Sequence, residues 1–177
     1  MGDERFRLFC GLQLPEETVE RLTAWQGLHV GAGRVVPPEN LHVTLAFLGS
    51  RPAGEVPAVA RELAAAAAVA GPVRLRPERY RETRSVGMIV LEDVGGAATA
   101  LADDLGERLE GIGAYRREGR PWMAHITVVR FKERPRLAPP VADLGEIRAV
   151  RCGVYRSTPR PGGARYEVLE AAALGGR

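Results

Sequence analysis

Two runs of this chain repeat one frame. Residues 41–49 read LHVTLAFLG and residues 123–131 read MAHITVVRF. Each sets a His and a Thr two positions apart inside a stretch of Val, Leu, Ile and Phe, the composition of a half-buried strand. Side chains alternate faces along a strand, so His42, Thr44 and Ala46 are expected on one face, with Val43, Leu45 and Phe47 on the other. His125 and Thr127 should likewise stand opposite Ile126 and Val128. Each run then needs an apolar layer behind it and leaves an imidazole and a hydroxyl in front. The 177 residues hold three histidines and seven threonines, so two His-x-Thr pairs would arise by accident roughly 0.5% of the time. The duplication points to two similar half-molecules facing each other across a cleft, related by a pseudo-twofold.

The rest of the chain supplies matching elements. RFRLFCGLQL (5–14) reads as a first strand. In PEETVERLTAWQGL, Pro15, two acids and apolar residues at helical spacing read as a helix. Residues 54–70 form an alanine-rich helix that stops at Gly71-Pro72. Strands are expected over 73–80 and 86–94, and a third helix follows Gly95-Gly96, with Leu101, Leu105, Leu109 and Ile112 on one side. The second His-x-Thr strand is expected over 122–130. The tail gives two strands, 146–157 and 164–174, joined by a Pro-Gly-Gly turn. The order is β-α-β-α-β-β-α-β-β-β with no linker long enough to separate domains. The expected fold is α+β: one bilobal domain over 1–177, with two mainly antiparallel sheets, helices outside them and a central cleft.

Charge and composition exclude several classes. The net charge is +3, too small and scattered for binding long duplex nucleic acid. The 25 cations comprise 24 arginines and one lysine, Lys132, a bias that fits an Arg-rich composition and also fits phosphate binding by planar guanidinium forks. The N-terminal residues lack a secretory or myristoylation pattern, and no apolar run approaches the ~20 residues of a membrane span. A cytoplasmic protein without a membrane partner is expected, acting as a monomer. Cys10 and Cys152, in apolar strand contexts, read as buried reduced thiols rather than a disulfide or metal pair.

Two imidazoles with ordinary pKa values near ~6.5 can act as acid and base at neutral pH, one protonated and one free. Threonine hydroxyls beside them can donate to an anionic oxygen. Together these parts suit an in-line displacement at phosphorus, in which one His takes a proton from the attacking hydroxyl or water and the other protonates the leaving oxygen. From the sequence alone the two roles are interchangeable. No carboxylate falls on the expected His faces to complete a metal site, and no Walker loop or Ser-His-Asp signature is present; neither a metal nor a cofactor is expected. His29 reads as a cap closing the first helix, Trp122 as a core residue, and Tyr155 and Tyr166 as strand residues. Arg116, Arg117 and Arg120 read as a solvated loop, with steering of substrate phosphates as the alternative.

The paired His-x-Thr strands, the phrase VPPENLHVTLAFLG and the closing YRSTPRPGGARYEVLE together resemble the two-histidine phosphoesterase superfamily. Within it the likeness is specifically to the bacterial and archaeal RNA 2′,3′-cyclic phosphodiesterases, also called 2′-5′ RNA ligases (LigT-like). The resemblance covers essentially the whole chain. It implies metal-independent hydrolysis of a terminal RNA 2′,3′-cyclic phosphate to a 2′-phosphate, with reversible 2′-5′ ligation in vitro. It also implies His42 as proton donor, His125 as proton acceptor, and Thr44 and Thr127 on the phosphate oxygens. Arg130, five places after the second His, matches a family arginine, yet strict alternation turns it away from His125. Relatives often read RPFxPH where this chain reads RPWMAH. The alternatives are a phosphoesterase for small cyclic nucleotides or 2′-5′ oligonucleotides, and an RNA-end-binding module without turnover.

Overall fold

A computed structural model describes residues 3–175. In chain order the elements are β1 (Arg5–Gln13), α1 (Glu16–His29), β2 (Arg34–Val35), β3 (His42–Pro52), α2 (Val56–Val69), β4 (Val73–Glu82), β5 (Val86–Asp93), α3 (Ala97–Gly111), β6 (His125–Arg130), β7 (Ile147–Ala149), β8 (Arg151–Thr158) and β9 (Arg165–Ala173). One sheet has the order β3-β1-β8-β9 and the other β2-β6-β5-β4-β7, and every pairing is antiparallel. The α+β class and its two sheets match the sequence expectation.

The helices follow the apolar spacing. Leu22, Trp25 and Gln26 are the inward side of α1, while Val59, Leu63, Ala66 and Ala67 recur at helical intervals on α2. Leu101, Leu105 and Leu109 do the same on α3. The start of α3 is capped from the preceding strand: Asp93 accepts hydrogen bonds from the Thr99 backbone N–H at 2.7 Å and from its hydroxyl at 2.7 Å. Gly96, at φ 81°, supplies the left-handed turn between them.

The two histidine strands occupy equivalent places. In the first sheet β3 lies beside β1 with α1 in the connection, and in the second β6 lies beside β5 with α3 in the connection. Each arrangement is a strand, a helix and an antiparallel neighbour, so the repeat in sequence is also a repeat in topology. β3 and β6 touch although they belong to different sheets, which brings the two motifs together.

Two strand expectations need correction. The second motif strand begins at His125 rather than at 122, because the Arg-Pro-Trp approach stays outside the ladder. The expected strand 146–157 is two strands in different sheets: Ala149 pairs with Val73 on β4, and Cys152 pairs with Leu12 on β1. The switch falls at Val150, which is exposed while Ala149 and Cys152 are buried. A periodic apolar pattern reports burial but not which partner covers it, so the handover is invisible in sequence. Among the described residues no helix is long and apolar enough to cross a membrane. Both cysteines are free and buried, and burial pushes the Cys10 thiol up to about 12.

Candidate active site

The two histidines are held in the same way. His42 Nδ1 lies 2.7 Å from the carbonyl of Asn40, and His125 Nδ1 lies 2.9 Å from the carbonyl of Met123. In each case the acceptor is two residues upstream. A carbonyl only accepts, so Nδ1 carries the proton in both rings and Nε2 is the nitrogen left for chemistry. His42 Nε2 accepts from the Thr44 hydroxyl at 2.8 Å, the contact expected if His and Thr share a strand face.

His42 is also walled by aromatic rings. Phe9 stacks on it at 4.7 Å between centroids, Tyr155 stacks on Phe9 at 4.8 Å and lies 6.0 Å from His42, and Tyr166 meets His42 edge-on at 5.4 Å. Gly11, opposite Thr44 in the β1–β3 register, makes room for the ring: a Cβ there would stand 3.2 Å from His42 Cδ2 and 3.1 Å from the Val43 carbonyl. Burial in this apolar wall lowers the His42 pKa from 6.5 to about 4, the Asn40 hydrogen bond opposes that, and the charges of His125 and Arg130 lower it further.

His42, Thr44, Thr127 and Arg130 line one cavity of about 420 Å³, together with Arg7, Phe9, Phe47, Arg160 and Tyr166. His125 precedes Thr127 on the same side of β6 and lies close enough for its charge to act on His42. Of the residues singled out for the site, His42, Thr44, Thr127 and Arg130 line the cavity and His125 stands behind Thr127 at its edge, outside the lining. Among the described residues no group of three or more His, Cys, Asp or Glu side chains is placed to hold a metal ion.

Arg130 and Phe47 reach this cavity by a route that strict alternation does not allow. The β5–β6 register runs Met88 to Thr127 and then Gly87 to Val129, so Val128 is an extra residue on β6. The bulge shifts the alternation by one, burying both Val128 and Val129 and turning Arg130 to the side of His125 and Thr127. On β3 the register runs Gly11 to Thr44 and then Cys10 to Ala46, so Leu45 is the extra residue. Leu45 and Ala46 are both buried and Phe47 is turned out, which corrects the expectation that Ala46 shares the His42 face. Phe47 and Arg130 both stand five places after their His, in matching bulged strands.

Several contributors carried no motif. Gln26 is buried on α1, and its side-chain amide donates to the carbonyls of Val36 at 3.1 Å and Val128 at 2.9 Å. It therefore ties the helix to the bulged residue that turns Arg130. The Trp122 indole N–H donates to the Thr44 carbonyl at 3.0 Å, linking the approach to one motif with the strand of the other. Of the basic loop, Arg117 is paired with Glu110 at 2.8 Å and Arg120 with Glu118 at 2.8 Å, so their charge is committed locally. His29 is half-buried at the end of α1 against Trp25 rather than a freely exposed cap.

Comparison with known proteins places this geometry. The family model for LigT like Phosphoesterase matches residues 12–81, a stretch that contains the first motif. An RNA 2′,3′-cyclic phosphodiesterase of Thermus thermophilus is 35% identical over 96% of this chain and 91% of its own length. The chain belongs to the LigT-like phosphoesterase family. An Escherichia coli RNA 2′,3′-cyclic phosphodiesterase is 29% identical over 95% of this chain and 96% of its own. The crystal structure of E. coli LigT complexed with 3′-AMP aligns with a TM-score of 0.81 at 25% identity, covering 97% of this chain and 99% of that one. Further structures of that E. coli protein are complexed with NADP+ and with ATP.

Proposed function

We propose that this protein hydrolyses the 2′,3′-cyclic phosphate at an RNA end to a 2′-phosphate, using His42 and His125 as its acid and base. The observation that carries the reading is the matched pair of imidazoles. Each has its Nδ1 fixed on a carbonyl two residues back, which leaves Nε2 as the nitrogen that exchanges a proton, bonded on His42 to the Thr44 hydroxyl, and they sit on touching strands of different sheets beside a cavity lined by two threonines.

In the proposed step His125 takes a proton from water, and the water oxygen forms a new bond to phosphorus. The bond from phosphorus to the 3′ oxygen breaks on the opposite side, and His42 delivers the proton that the leaving oxygen needs. Thr44 and Thr127 donate to the non-bridging oxygens, and Arg130 holds their charge. No proton is consumed overall, and the histidines end with their protonation states exchanged. His42 is neutral at pH 7 before substrate arrives, chiefly because burial disfavours the imidazolium, so it takes up its proton with the substrate: the phosphodiester anion brings a compensating negative charge beside the ring and offsets the charges of His125 and Arg130. The same step with a 5′-hydroxyl in place of water joins two RNA ends through a 2′-5′ linkage and frees the 3′-hydroxyl, and reversal of that step re-forms the cyclic phosphate. The reading includes a single bilobal domain acting as a monomer in the cytoplasm, with RNA ends or small cyclic nucleotides as its partners.

The test is turnover of a short RNA with a cyclic end in the presence of EDTA. His42→Ala and His125→Ala should each lose roughly 10²- to 10⁴-fold in kcat, the range one general acid or base contributes. Retained turnover in either variant overturns the acid and base pair, and a 3′-phosphate product in phosphorus NMR reverses the leaving-group assignment.

A further inference from the structure

Arg34 and Arg130 face each other directly in the register between β2 and β6. Residues opposite one another in an antiparallel pair share a face, and like charges in that position destabilise it. Among the described residues neither guanidinium has an acidic partner within 4.0 Å, whereas Arg74, Arg108 and Arg117 do. An unneutralised arginine pair is costly unless an anion comes to it. Both arginines line the catalytic cavity, and both line a second groove of about 260 Å³ that continues from it.

That groove runs between the segment from Arg34 to Asn40 and the turn from Pro161 to Tyr166. Its walls carry Arg34, Arg130 and Arg165 against one acid, Glu39. Arg34 leans over the turn, where a Cβ added to Gly163 would stand 3.6 Å from the guanidinium carbon. Asn40, whose carbonyl orients His42, ties the far wall down by donating from its side-chain amide to the Ala164 carbonyl at 2.8 Å. The groove is therefore built onto the catalytic histidine rather than merely near it. One cyclic phosphate carries a single negative charge, and Thr44, Thr127 and Arg130 suffice to hold it. Arg34 is left facing an anion position one step further along.

We propose that Arg34 holds the phosphate on the 5′ oxygen of the terminal nucleoside, so that the protein grips an RNA end at two successive phosphates and prefers an oligonucleotide to a lone cyclic nucleotide. This rests on the reading that the cyclic phosphate sits among Thr44, Thr127 and Arg130. The chemistry recognised is a phosphoryl group, which a polynucleotide supplies as a diester and a 5′-phosphorylated mononucleotide supplies as a monoester.

The test compares Arg34→Gln with the unaltered protein on three substrates: a nucleoside 2′,3′-cyclic phosphate, the same compound bearing a 5′-phosphate, and a dinucleotide with a cyclic end. Arg34 is exposed, so the substitution leaves the core intact. KM for the dinucleotide should rise roughly tenfold or more, the effect of one charge-assisted contact, while the compound without a 5′-phosphate changes less than about twofold. An equal rise on all three, or no rise on any, overturns the proposal; a rise confined to the 5′-phosphorylated mononucleotide overturns the RNA assignment. Arg61→Gln, an exposed arginine on α2 outside both cavities, controls for net charge, and a matching rise there also overturns it. A binding arm separates this from failure of the hydrolytic reading. Affinity for a 2′-phosphate-ended oligoribonucleotide needs no turnover, and its dependence on salt should lose about 0.7 in the slope of log K against log salt when Arg34 is replaced. An unchanged slope refutes the second phosphate contact even if the protein cleaves nothing.

Discussion

Acidification should weaken the fold through His42, and by an amount that can be isolated. The native ring has its pKa lowered from 6.5 to about 4, chiefly by burial against Phe9 and Tyr166, whereas the unfolded chain leaves the imidazole near its ordinary ~6.5. Between those values the unfolded state binds more protons than the native one, so stability falls as pH falls. The contribution is fully present above pH 6.5 and lost by about pH 4. At about 1.4 kcal/mol per unit of pKa, and allowing for the solvent that reaches a half-buried ring, the loss is roughly 2 to 3 kcal/mol. Denaturant unfolding of the unaltered protein and of His42→Gln, across pH 7.5 to 4, measures it as a difference in which the carboxylates common to both cancel. The stability advantage of the unaltered protein should shrink by that amount on acidification. A difference that stays constant across the range refutes the view that the aromatic wall keeps His42 neutral. Phe9→Ala, which opens the wall, should raise the His42 pKa in an NMR titration and flatten the pH dependence.

Other perturbations follow from contacts around the site. Gln26→Leu leaves the buried Val36 carbonyl without its side-chain donor and frees one tie on the Val128 bulge. It should cost about 1 kcal/mol in denaturant unfolding and raise KM roughly tenfold as Arg130 loses its setting; lost stability with unchanged KM would show that Gln26 only holds the helix in place. Trp122→Phe removes the bond to the Thr44 carbonyl and should cost about 1 kcal/mol with a measurable drop in kcat, whereas unaltered kcat would show the two motifs keep their spacing without it. Gly11→Val pushes side-chain atoms against His42 and the Val43 carbonyl. A destabilisation of about 1–3 kcal/mol is expected, together with loss of turnover, and a fully active variant would show that the ring has more room than its contacts imply.

Much of the site was legible in the chain. The apolar frame around each His-x-Thr announced a strand, and the period of two placed His42 with Thr44 and His125 with Thr127, as found. Helical spacing located all three helices to within a few residues. What misled was the assumption of unbroken alternation. Phe47 was expected behind the sheet, and alternation alone turned Arg130 away from His125 although the family likeness put it on the substrate; both turn toward the cleft because Leu45 and Val128 are bulged. A bulge depends on how a partner strand pairs, and nothing in a single strand's pattern of apolar and polar residues encodes it. The split at Val150 escaped for the same reason.

The sequence by itself determined that two strands would each offer an imidazole and a hydroxyl backed by an apolar face, because that follows from local backbone geometry and the burial of Val, Leu and Ile. Only the tertiary structure decided that the two faces meet across one cavity, that both rings are pinned through Nδ1, and that His42 is kept neutral while Arg34 and Arg130 stand unneutralised side by side. Each of those depends on groups distant in the chain, and their mutual fields exist only once packing has brought them close together.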